Sequence, residues 1–127
     1  MHKNAALQII LKVVSVLITV GGAVRLVANK QTFQSFLIGE LWVDHSYFVY
    51  IYRVLGAFSV FVGITVFCVA QDPAQYSRLF KVWGLCFLFI AIVMFLAGYF
   101  LHMSFVHYGF DFAFCVLIAL VCFSLSR

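Results

Sequence analysis

The sequence predicts an all-α integral membrane protein, a four-helix transmembrane bundle with both termini on the cytoplasmic side. Three observations carry that prediction. Of 127 residues, 66% are apolar and only 9% charged, with a mean hydropathy of +1.15, which lies far outside soluble globular domains. Four apolar segments, roughly 6–27, 49–69, 82–101 and 108–125, each approach the ~20 residues needed to cross a ~30 Å hydrocarbon core. None shows the period-two alternation of a membrane β-barrel strand. The length is that of one domain, 1–127.

The first segment opens with Lys3 and has the outline of a signal peptide, with Gly21-x-Ala23 as a weak cleavage site; it is expected to be retained as a helix. The second, YIYRVLGAFSVFVGITVF over 50–67, carries one charge, Arg53, about a turn inside its beginning. The third and fourth are apolar throughout their middle turns. Basic residues set the orientation. Lys3, Lys12, Arg78, Lys81 and Arg127 fall on one side, against Arg25, Lys30 and Arg53 on the other, a bias toward both termini in the cytoplasm. Trp83 and Tyr76 near one boundary, and Trp42, Tyr47, Tyr50 and Tyr52 near the other, fit interfacial belts.

The connections differ in character. Gln71-Asp72-Pro73 is a short turn that can open the third helix. The 29–47 connection is long enough to hold structure, and Phe33, Phe36, Leu37 and Leu41 recur at helical spacing after Thr32, an N-cap residue type. It is either a short interfacial helix with Gln34, Glu40 and Asp44 toward water, or an irregular loop.

A net charge of +4 does not point to nucleic acid, because the eight basic residues lie scattered near the ends of apolar segments as topology alone requires. Cys68, Cys86, Cys115 and Cys122 all lie within apolar runs, without a CxxC pair or an adjacent His. They read as small buried side chains, not as metal ligands.

Membrane helices associate through close packing of small residues and through polar contacts, since lipid tails are as apolar as leucine. Each segment carries a small-residue stripe: Ser15, Thr19 and Gly22; Gly56 and Gly63; Gly84, Ala91 and Gly98; and Cys115, Ala119, Cys122 and Ser126. Spacings of seven, or of three and four, hold each stripe to one face and suit left-handed crossings near +20°. Extending the stripes outward reaches Arg25, Arg53, His102 and Asp111, all near the outer boundary. These four are expected to converge there, with His107, Glu40, Asp44 and His45 in the adjoining loops.

Such a cluster admits three readings. As a clasp, Asp111 pairs with Arg53 or Arg25 and holds the helix ends in register. As a binding site, the two arginines exceed the one intramembrane carboxylate and offer planar forks of donors to a lipid headgroup, a quinone oxygen or a small carboxylate. As a metal or haem site, His102 and His107 would act with Met103, but the two histidines are five apart with no i,i+4 pair to fix a metal. No catalytic residue is assigned, because no Ser-His-Asp order, His box or glycine-rich phosphate loop is present. No cofactor is expected, with a quinone the one left open.

Taken together, four short helices, a long first loop, a second helix opening on YRVLG within residues 50–56, a glycine-rich third helix and an acidic residue opening the fourth resemble the DoxX-like small membrane proteins. Within them the chain is similar to the bacterial proteins grouped as domain-of-unknown-function 4345. The resemblance maps Arg53 onto the arginine of the second helix, and Asp111 onto a position where relatives more often carry Glu. It also implies a quinol or lipid environment, since some DoxX relatives are subunits of quinone-linked oxidoreductases.

The expectation is therefore a small, non-enzymatic protein of the bacterial inner membrane that binds a lipophilic or anionic ligand, or a membrane partner, at its outer polar end. The alternative is a small subunit of a quinone-linked redox complex. A homo-oligomer is compatible with either.

Overall fold

A backbone in hydrocarbon has to satisfy its own N–H and C=O groups, which an apolar segment of this length can do only as a helix. The computed structural model describes residues 2–35 and 39–127. Among them all regular structure is helical: α1 (His2–Val27), α2 (Lys30–Gln34), a 3-10 turn (Gly39–Leu41), α3 (Ser46–Val69), α4 (Ser77–Phe100) and α5 (Phe105–Leu125). In α1, α3, α4 and α5 there are spans long and apolar enough to cross a membrane. The chain is a multi-pass membrane protein whose environment is the lipid bilayer.

All four long helices begin three to five residues earlier than their apolar runs. Hydropathy marks the part of a helix that lies in lipid, whereas polar first turns such as Ser77-Arg78 are helical in the interface as well. Phe80 in that first stretch of α4 is fully buried and meets Trp83 edge to face, with centroids 6.1 Å apart.

The chain divides into two compact units, 12–68 and the combination of 1–11 with 69–127. In the 12–68 unit, α1 and α3 run antiparallel with their small-residue stripes in contact. A Cβ placed on Gly22 would meet the Gly56 carbonyl oxygen and the Val60 nitrogen at 2.7 Å, and one on Gly56 would lie 2.8 Å from the Gly22 oxygen. Gly63 sits against Thr19 and the Ser15 carbonyl in the same way. The close approach is backbone to backbone, which only glycine at these points allows. Buried Ser15 and half-buried Thr19 bond their hydroxyls back to the Lys12 and Ser15 carbonyls, at 2.7 and 2.9 Å, so packing them here leaves no orphaned donor.

In the other unit, α4 and α5 form an antiparallel pair through glycine-to-ring contacts. Gly84 lies under the Phe123 ring and Gly98 under the Tyr108 ring, and Phe95 meets Phe112 with centroids 5.6 Å apart. The predicted stripes Gly84, Ala91 and Gly98, and Cys115, Ala119, Cys122 and Ser126, are buried. Gln8, from the beginning of α1, donates its side-chain amide to the Ala70 and Gln71 carbonyls at 2.7 and 3.0 Å. Those carbonyls follow the last turn of α3, where acceptors lack intrahelical partners.

The cysteines divide. Cys115 and Cys122 are buried as expected, but Cys68 and Cys86 are exposed. An apolar run in a membrane helix has a lipid face as well as a packing face, and small size alone does not choose between them.

Candidate functional site

Arg25 lies in the last turn of α1, where a cation is favoured by the helix dipole. Gly56 on α3 leaves room for its Cβ. The side chain crosses to α3, where Nη1 donates to Ser59 Oγ at 3.3 Å and the guanidinium carbon stands 5.8 Å from the Tyr52 ring centroid. Ser59 in turn donates to the Leu55 carbonyl at 2.9 Å, which points its lone pairs at the arginine. A half-desolvated cation over an aromatic face gains about 0.5–2 kcal/mol. Arg25 is thus engaged within its own unit as a link between α1 and α3. Ser59 and Tyr52 were not singled out from the sequence, although Gly56, Ser59 and Gly63 share the three-then-four spacing of a packing stripe.

Tyr52 also belongs to an aromatic cluster that folds the first loop back onto α3. Phe33, only 3% exposed, packs against Trp42 at 5.1 Å, Tyr52 at 5.2 Å and Phe48 at 6.1 Å. The short helix expected here is real, with a different start. Asn29 is the N-cap and Thr32, expected to be the cap, completes a capping box from the third helical position. Phe36 and Leu37, which carried the rest of that expectation, lie outside the described residues, and Leu41 falls in the 3-10 turn.

Asp44 ties the two ends of this loop. One carboxylate oxygen takes Lys30 Nζ at 2.6 Å and the other takes Trp42 Nε1 at 2.8 Å. The bond from Lys30, then that from Trp42, holds its carboxyl below the ordinary range, in favour of the charged form. Asp44 is therefore a loop fastener. Glu40, in the exposed 3-10 turn, makes no ion pair within its unit among the described residues. His45 accepts from the Tyr47 N–H through Nδ1 at 3.2 Å.

Arg53 is placed differently. It was expected on the packing face of its helix, but the residue is exposed. An offset of three from Gly56 turns the side chain about 60° away from the stripe, enough to leave the helix contact. It lines a shallow open groove of about 470 Å³ with Leu26, Ser46, Val49, Tyr50, Val54 and Ala57. Leu26 comes from α1 and the others from α3. No carboxylate of the same unit pairs with Arg53 among the described residues.

His102, His107 and Asp111 belong to the other unit. His102 adopts a left-handed conformation, φ 53°, in the turn between α4 and α5. Its N–H donates to the Tyr99 carbonyl at 3.1 Å and the next N–H, of Met103, to that of Gly98 at 2.9 Å. This is a Schellman closure with histidine where glycine is usual. His107 is half-buried in the first turn of α5, its N–H on the Ser104 carbonyl at 2.9 Å. Asp111 is exposed, six residues into α5, and neither His102 nor His107 pairs with it. The backbone of His102 is held in the turn that closes α4. Among the described residues no group of three His, Cys, Asp or Glu side chains is placed to hold a metal ion.

No family model, curated protein or solved structure matches the chain.

Proposed function

We propose that this is a non-enzymatic membrane protein that binds a lipophilic anion through Arg53. The observation that carries the reading is the setting of that guanidinium: an exposed cation on a membrane-spanning helix, in an apolar-walled groove, paired with no carboxylate of its unit among the described residues. An ionisable group in such a segment is costly unless it has a partner or a route to water. Arg25 has its partners in Ser59 and Tyr52, and Lys30 has Asp44. Of the two arginines in the 12–68 unit, Arg53 is the one left to meet a ligand. The excess of basic residues on the side of the termini and the second connection supports both termini being cytoplasmic and the 28–45 connection outside, and the same reading places the protein in a bacterial inner membrane. The DoxX-like resemblance is in keeping with that placement.

Native mass spectrometry of the protein extracted in a mild detergent tests the reading. The wild type is expected to retain a non-covalent ligand that Arg53→Gln loses. A wild type that carries nothing in any gentle extraction would sink it. A quinone as the retained species would instead favour the redox-subunit role that the resemblance implies.

A further inference from the structure

We infer that the occupant of the α3 groove is an anionic phospholipid, its phosphate held at Arg53 beside Ser46 and Tyr50 and one acyl chain laid along Leu26, Val49, Val54 and Ala57. This rests on the proposed role of Arg53 and names the ligand class. Four observations lead to it.

The first is length. The groove runs from Ser46, the first residue of α3, to Ala57, and eleven residues at ~1.5 Å rise cover about 16 Å. Half of a ~30 Å hydrocarbon core is about 15 Å. The groove therefore extends from the interface to near the midplane, the reach of one leaflet's chain. Tyr47 and Tyr50, stacked with centroids 6.2 Å apart, stand near its upper end as interfacial anchors.

The second is polarity along the groove. Hydroxyls of Ser46 and Tyr50 lie toward the beginning of the helix, and Val54 and Ala57 lie deeper. Side chains on a helix lean toward its N-terminus, so the long Arg53 side chain rises toward Tyr50 and the interface. Its fork of donors matches the paired oxygens of a phosphate.

The third is openness. A groove left open along its side leaves part of any occupant facing the surrounding lipid. A small hydrophilic anion would there be stranded against hydrocarbon, whereas a phospholipid keeps its exposed flank among other lipids.

The fourth is charge. The lining holds one cation and no carboxylate. A zwitterionic headgroup brings an ammonium that has no acidic side chain of this lining to receive it. An anionic headgroup has no such penalty.

The experiment uses the full-length protein in dodecyl maltoside, with dioleoylphosphatidylglycerol, dioleoylphosphatidylcholine, decyl-ubiquinone or inorganic phosphate added in parallel. Retention is read by native mass spectrometry and stabilisation by thermal shift. The wild type should prefer phosphatidylglycerol by about fivefold, the ratio corresponding to ~1 kcal/mol per basic side chain at an anionic surface. Arg53→Gln should abolish the preference and Arg53→Lys should keep part of it. Ala57→Trp, at an exposed position of the groove lining, should lower lipid retention while leaving the protein monodisperse. Equal retention of the two phospholipids by the wild type, or phosphate alone matching the lipid's effect, overturns the inference. Arg53-dependent retention of decyl-ubiquinone without the phospholipid preference also overturns it, while leaving the lipophilic-ligand reading standing. Absence of Arg53-dependent retention of any probe overturns both.

Discussion

His102 shows how much a single backbone position can decide. An L-residue in the left-handed region costs about 1 kcal/mol, although histidine tolerates it better than bulky side chains, and the two carbonyl-capping bonds made through it and Met103 offset that cost. His102→Gly is accordingly expected to keep the α4 closure and raise stability by up to about 1 kcal/mol, seen as a higher unfolding midpoint in detergent. A fall in midpoint would mean that the imidazole itself makes a contact the protein needs. Spacing and residue type assign histidine no such role, because a Schellman closure is normally signalled by glycine. The two arginines make the complementary point. Arg25 and Arg53 are the same residue type at offsets of three from stripe glycines, yet one is tied to Ser59 and Tyr52 and the other lines an open groove. An offset of three leaves a side chain about 60° from the stripe, and whether that reaches the neighbouring helix depends on partners no spacing rule names.

For the helices themselves, the small-residue spacing was informative where propensity was not. Glycine is a poor helix former in water, about 1 kcal/mol worse than alanine, so Gly22, Gly56 and Gly63 argue against the helices they help to pack. Neighbouring Gly21 and Gly22 separate the two effects. Nothing lies within 4 Å of a Cβ at Gly21, whereas one at Gly22 would press on the α3 backbone at 2.7 Å. Gly21→Ala should be neutral or stabilising by up to about 1 kcal/mol. Gly22→Ala should destabilise by about 1–3 kcal/mol, because backbone cannot move aside as a side chain can. Detergent unfolding of the two variants checks the opposite signs, and equal effects would show that α1 and α3 do not depend on this approach. The four long helices and these stripes were legible because length, apolarity and period are properties of a segment alone. The true starts of the four long helices were not, since the polar first residues of α1, α3 and α4 are helical without being hydrophobic, and α5 already begins at Phe105. Nor was the loop's aromatic packing of Phe33, Trp42, Phe48 and Tyr52, which pairs residues on different elements.

For the molecule as a whole, what matters is how its few charges are neutralised. Arg53 lies seven residues into α3 and Asp111 six into α5, about 10 and 9 Å from the starts of their own helices. That match in depth is what made a clasp between them attractive from the sequence. Both residues are exposed, and neither pairs with an opposite charge in its own unit among the described residues. If Arg53 is instead committed to a lipid phosphate, its loss and that of Asp111 are independent events. Arg53→Leu and Asp111→Leu should then change detergent stability by amounts that add in the double variant to within about 0.5 kcal/mol. In a clasp, either single change strands the other charge, and the double variant recovers part of the loss. Partial recovery in a thermodynamic cycle would therefore assign Arg53 to Asp111 and remove it from the groove, whereas additivity leaves its guanidinium free for an anionic headgroup.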